Sequence, residues 1–162
     1  MHMIKSPAAV DSTLPRVFLA GSIEMGVAEQ WQERLGHLLE DVSCVLLNPR
    51  RDDWDSSWTQ SIDNPQFCQQ VNWELDGLEA ADIVVFYFDP QTRSPITLME
   101  LGLVAMRSCD VVVCCPEGFW RKGNVDIVCS RYGIHTVDSL EAVAEQVGRW
   151  VASPLTRQKR NN

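Results

Sequence analysis

Histidine is scarce in this 162-residue chain, and cysteine never takes the pairing that binds metal. His2, His37 and His135 are scattered, and Cys44, Cys68, Cys109, Cys114, Cys115 and Cys129 include no C-x-x-C. The spacings of a structural zinc site are missing, so no metal is expected. Several thiols fall in apolar runs such as "VVVCC", where cysteine packs as a small hydrophobe, and reduced, inert thiols follow. Positive charge is short too: 14 Lys and Arg against 22 Asp and Glu leave a net −8. A field of that sign repels nucleic-acid polymers and anionic membranes. No run approaches the roughly 18–20 apolar residues of a membrane span, and the N-terminus lacks a signal pattern, so the cytoplasm is the default. G-x-G-x-x-G is absent, no other cofactor motif takes its place, and no internal repeat is present.

What is there is alternation. Residues 1–15 show no period and read as a flexible leader, and 153–162, "SPLTRQKRNN", as a disordered tail. Between them, 16–152 suits one domain. "RVFLAG", "SCVLLNP", "DIVVFYF", "DVVVCCP" and "IHTV" read as strands. Helical periods fill the intervals: Val27 to Glu40, Gln66 to Ala81, "TLMELGLVAMRS" and "GNVDIVCSRY". A closing helix, "SLEAVAEQVGRWVA", is capped by Asp138 or Ser139. Strand and helix in strict turn predict an α/β domain with a five-stranded parallel sheet covered on both faces. Ligands bind such sheets outside the strand C-termini, so the residues after each strand are the candidates.

After the first strand comes "GSIEMG", where Gly21 and Gly26 permit a tight turn or a close backbone approach. Glu24 argues against a phosphate cradle there. After the second comes "NPRRDDWDSSW", long for a connection in a compact domain. Trp54 and Trp58 either form a platform for a flat ring or fold the loop onto the domain, and Arg50 and Arg51 have aspartates close by. After the third comes "FDPQTRSP" with Asp89, then a helix starting near Thr97. That start puts Glu100, the lone carboxylate of "ITLMELGL", near the first turn, where the helix dipole favours an anion. Gly102 would leave space beside it, and Glu74, in "VNWELDGLEAAD", faces either the crevice or water.

"FLAGSIEMG", "NWELDGLEAADIVVFYFD", "TLMELGL" and "RKGNVDI" together resemble the nucleoside 2-deoxyribosyltransferase superfamily, over roughly residues 16–136. The resemblance implies a flavodoxin-like three-layer sandwich that breaks and remakes the N-glycosidic bond of 2′-deoxynucleosides, without metal or cofactor. It implies Glu100 as the nucleophile that forms a glycosyl ester, and Glu74 as the acid that positions nucleophile or sugar. It also implies that Asn124, with Asp126 close by, reaches the sugar 5′ end in a neighbouring subunit, so a homodimer or larger assembly is expected.

Two departures divide the expectation. The transferase pattern has a base-binding aspartate six residues before the nucleophile, where this chain has Ser94. Related 2′-deoxynucleoside 5′-monophosphate N-hydrolases carry serine there to hold phosphate, and Ser22 is similar to theirs. Those hydrolases, however, have arginine where Glu24 stands. Base protonation then falls to Asp89 or Asp53. The expected function is deoxyribosyl transfer between nucleobases. The alternatives are an N-glycosidase acting on a nucleoside or nucleoside 5′-monophosphate, and a non-catalytic nucleotide-binding domain.

Overall fold

Runs of apolar residues with no polar alternation can be satisfied only where both faces of a strand are covered, and the computed structural model covers them so. It describes residues 1–23, 29–107 and 109–153. The strands are β1 (His2–Lys5), β2 (Arg16–Gly21), β3 (Val45–Asn48), β4 (Ile83–Tyr87), β5 (Asp110–Cys114) and β6 (His135–Val137). Together they make one sheet in the order β1-β3-β2-β4-β5-β6, and every pairing is parallel. The helices are α1 (Trp31–Leu38), α2 (Pro65–Ala80), α3 (Pro95–Val104), α4 (Lys122–Tyr132) and α5 (Leu140–Ala152). None is long and apolar enough to cross a membrane.

Without β1 the order is that of a flavodoxin-like sheet, a three-layer α/β sandwich. The expected count of five strands is corrected to six. The added strand, "HMIK", lies inside the segment read as a flexible leader and pairs with β3 from His2↔Val45 to Lys5↔Asn48. Four residues with one buried side chain, Ile4, carry too little pattern to be seen in sequence.

Side chains alternate between two cores. Phe18, Ala20, Val45, Leu47, Val84, Phe86 and Val113 point to one face, where Leu78 of α2, Leu101 and Val104 of α3 and Val125 of α4 cover them. Val17, Leu19, Leu46, Ile83, Val85 and Val112 point to the other, beneath Trp31 and Leu35 of α1 and Val143 and Val147 of α5. Local chemistry sets the helix ends. Asn64 Oδ1 accepts from the amides of Gln66 and Phe67, both at 3.1 Å, with Pro65 at the first helical position. Ser139, of the two expected caps, accepts from Ala142 N at 3.3 Å. Gly133, at φ +67°, ends α4 in the left-handed region that favours glycine. Val27, Glu24, Gly26 and 154–162 lie outside the described residues.

Candidate active site

The chain leaves β2 in one direction for β3 and returns to β4 on the other side of β2. The β2/β4 boundary is therefore the switch point where such sheets open a crevice. Two candidates stand on it, Ser22 after β2 and Asp89 after β4. The Asp89 amide donates to Ser22 Oγ at 3.0 Å, joining the two strand ends. Around that hydroxyl a cluster closes: Ser22 Oγ lies 2.5 Å from Ser94 Oγ, and Thr92 Oγ1 lies 2.8 Å from each. All three residues are buried, and Thr92 Oγ1 also donates to the Asp89 carbonyl at 2.9 Å, so the cluster fastens both strand ends to the head of α3. Thr92, which sequence reasoning did not single out, is its third member.

Gly21 owes its identity to packing. A Cβ there would meet the Trp31 ring at 2.6 Å and the Tyr87 carbonyl oxygen at 2.7 Å, so no larger residue fits. Asp89 is fixed by backbone donors, Glu29 N to Oδ2 at 3.2 Å and Gln91 N to Oδ1 at 2.8 Å.

Glu100 lies on the inner stripe of α3, with Thr97, Leu101 and Val104. That i, i+3, i+4, i+7 spacing faces the sheet, so the carboxylate does head for the core, and only 7% of the residue is exposed. The helix starts at Pro95, two residues before the expected start, which makes Glu100 the sixth helical residue. It is past the first turn, where the dipole acts. Gly102 is exposed, with open space around its Cβ position, and does not flank the carboxylate. Burial, and then the charge of Glu74, push the Glu100 carboxyl up to about 8. The ligand-free protein therefore keeps Glu100 mostly protonated at neutral pH, where the sequence suggested a standing anion.

Glu74, half-buried on α2, is the second member of the pair. Its Oε1 accepts from Gln70 Nε2 at 2.8 Å. Burial raises its pKa, and the Gln70 hydrogen bond pulls the other way. The structure thus brings together two shielded carboxyl groups from neighbouring helices, one of them hydrogen-bonded and the other strongly perturbed. Such an arrangement suits proton exchange and nucleophilic work.

The loop after β3 folds on itself. The Arg51 guanidinium is buried and grips Asp53 with two contacts, Nε to Oδ1 at 2.7 Å and Nη2 to Oδ2 at 3.0 Å. It also lies 5.0 Å over the Trp58 ring, which Trp54 meets edge-on at 5.1 Å. Arg51 holds the Asp53 carboxyl below its usual range, which counts against Asp53 as a proton donor. Trp54 keeps one exposed side. Near the head of α3, Trp120 donates to the Arg93 carbonyl at 3.0 Å and carries the Arg93 and Arg121 guanidiniums over its ring. Nothing in the local sequence announced that cluster, because its members come from two connections.

Asn124 is exposed in the first turn of α4, and Asp126 is bound to Lys122 at 3.0 Å. Neither joins the Glu74–Glu100 pair within this chain. A cavity of about 310 Å³ opens at the opposite end of the strands, lined by Ile83, Asp110 and His135, their first residues, and by Arg107 and Trp150. It contains no candidate residue and sits at the end of the sheet that such folds leave unused.

Two solved structures share this fold. A CMP N-glycosidase of Clostridium botulinum is 15% identical with a TM-score of 0.54, over 83% of this chain and 98% of that one. A conserved protein of Enterococcus faecalis V583 is 14% identical with a TM-score of 0.55, over 84% of this chain and 98% of that one. No curated protein matches the chain. The model of the nucleoside 2-deoxyribosyltransferase-like family matches residues 14–119, well over half of the sequence, and the chain belongs to that family.

Proposed function

We propose that the protein transfers a 2-deoxyribosyl group between nucleobases, with Glu100 as the nucleophile and Glu74 as its proton partner. The observation that carries this reading is the burial of Glu100 on the inner face of α3, within reach of the charge of Glu74 on α2. A carboxylate on a solvated face would explain neither that placement nor the raised pKa.

The steps follow from proton bookkeeping. Glu100 rests as the acid, so its proton passes to Glu74 as the substrate enters. The freed carboxylate oxygen then attacks C1′ while the C1′–N bond breaks, and the bonding electrons leave with the base, which takes up a proton. A glycosyl ester on Glu100 remains. A second base attacks C1′ through nitrogen and releases Glu100, and the proton it gives up returns through Glu74 to restore Glu100 as the acid. Asp89, held at the crevice by two backbone amides, is the side chain we assign to orienting the base, and the proton the departing base takes up is the one that Glu74 received from Glu100. Ser22 and Ser94 fix the head of α3, and Trp54 offers its exposed side to a planar ring.

Hydrolysis is the second reading, and Ser94 favours it. No carboxylic acid stands at that position to handle a base twice, which leaves water as the acceptor. The structural neighbour that acts on CMP is an N-glycosidase by its description. Incubating a 2′-deoxynucleoside with a second free base separates the two: transfer gives the exchanged nucleoside, whereas hydrolysis gives free sugar at a rate indifferent to the added base.

The same reading includes a homo-oligomer. The outer side of α3 exposes Ile96, Met99 and Leu103, with Met106 just beyond the helix, a stripe apolar enough to be covered by a second copy. Asn124, exposed on this side of the sheet, is available to a neighbouring site.

A further inference from the structure

Gln70 is a buried amide that spends both its N–H groups and its oxygen on hydrogen bonds. Its Oε1 accepts from Ser6 Oγ at 2.6 Å, and its Nε2 donates to the Pro49 carbonyl at 2.7 Å and to Glu74 Oε1 at 2.8 Å. Because the Ser6 hydroxyl can donate to an oxygen and the two other partners are pure acceptors, the amide has one orientation and cannot flip. Ser6, itself buried, follows β1, the strand that sequence reading missed. The Ser6 amide donates to the Asn48 carbonyl at 3.1 Å, and Trp73 of α2 donates to the Ala8 carbonyl at 2.8 Å, so the segment after β1 is fastened to β3 and to α2 at once.

We propose that Gln70, locked by Ser6, is a positioning residue that holds Glu74 as the charged member of the carboxylate pair, leaving Glu100 to carry the proton until substrate arrives. The proposal deepens the assignment of Glu74 and Glu100 as a working pair and rests on it. A hydrogen bond to a carboxylate favours its charged form. From α3, Glu100 is the charged group that acts on the pair; Gln70 of α2, Ser6 after β1 and the Pro49 carbonyl after β3 supply the rest of the polar surroundings. A neighbouring anion opposes ionisation of Glu100, so the hydrogen bond that fixes the charge on Glu74 also fixes the proton on Glu100. The N-terminal strand thereby acts on the site through two hydrogen bonds without touching substrate.

Carboxyl-carbon NMR titration of the full chain tests this without requiring turnover. The Glu74 and Glu100 signals are identified by their loss in Glu74→Gln and Glu100→Gln. In Gln70→Leu the Glu74 midpoint moves up by about half a pH unit or more, as loss of one charge-stabilising hydrogen bond requires. Ser6→Ala, which removes only a hydroxyl, moves it in the same direction by less. Gln70→Asn, one methylene shorter, does not restore the wild-type value, because the amide no longer reaches all three partners. A Glu74 midpoint unchanged in Ser6→Ala and in any folded Gln70 variant overturns the proposal, and Ser6→Ala alone decides it if Gln70→Leu does not fold. A second arm follows the pH profile of kcat/KM: Gln70→Leu shifts its acid limb to higher pH, whereas a structural tie alone lowers the melting temperature and leaves the limb in place. Turnover that survives Glu100→Gln sinks the functional reading instead, and the titration still reports on Gln70.

Discussion

The two faces of the sheet are finished differently. On the α1/α5 face, exposed charges pair off, Arg34 with Glu141 and with Glu29, and Arg149 with Glu145, and Leu38 is the one large apolar side chain these two helices leave exposed. The α2/α3/α4 face, which also pairs Lys122 with Asp126, differs in two ways. It buries the Glu100 carboxyl beside half-buried Glu74 and exposes Leu75, Ile96, Met99, Leu103 and Ile127. One face has been made for water. The other spends stability on a shielded carboxyl pair and leaves an apolar surface uncovered, which is what the proposed function asks of it.

The hardest blow to this contrast falls on the chemical face. Glu100→Ala lowers turnover by about a thousandfold or more, since loss of a covalent nucleophile costs orders of magnitude. Circular dichroism should show the fold intact. A variant that keeps a tenth of the wild-type rate removes Glu100 from the mechanism.

The apolar surface comes next. Met99→Glu combined with Leu103→Glu puts two charges into the stripe on α3 and should convert the oligomer to monomer on size-exclusion chromatography, with activity lost in parallel. A wild-type chain that already elutes as a monomer breaks this half of the comparison.

Stability against pH sharpens it. The Glu100 carboxyl titrates near 8 in the folded chain against an ordinary value of 4.5. The folded state thus binds this proton more tightly than the unfolded state. That contribution is full below about 4.5 and is lost as pH rises through about 8. Glu100→Gln, which is never charged, therefore melts above wild type at pH 8, by an amount on the order of a few kcal/mol because each pKa unit corresponds to about 1.4 kcal/mol. The advantage disappears by pH 4–5. Equal melting curves at both pH values would mean that Glu100 is hydrated.

The smallest effect belongs to the water-facing side. Arg34→Ala removes an exposed ion pair with Glu141 and should move the melting temperature by no more than about two degrees.

Most of this fold was legible in the sequence because double-covered strands leave unbroken apolar runs such as "DIVVFYF", and helices keep their period between them. β1 was not, because an edge strand of four residues with one buried side chain has almost no pattern. Glu100 was legible as an anomaly, a carboxylate among apolar neighbours, but its ionisation was not. Proximity to a helix N-terminus pointed to an anion, whereas burial and the charge of Glu74, 26 positions earlier in the chain, reverse that. Gly21 was legible as a position without room for a side chain, but its neighbour Trp31, ten residues on, was not. Thr92, Gln70 and the Trp120 cluster act through contacts between separate connections or helices, which no local motif encodes.

Mass spectrometry of the protein mixed with a 2′-fluoro-2′-deoxynucleoside gives the shortest route to the central claim, since fluorine slows release of the sugar more than its capture. The expected result is a mass gain of one fluoropentosyl group, confined to the peptide that contains Glu100 and absent in Glu100→Gln. Turnover of deoxynucleosides with no such adduct, or with the sugar on another residue, would contradict it.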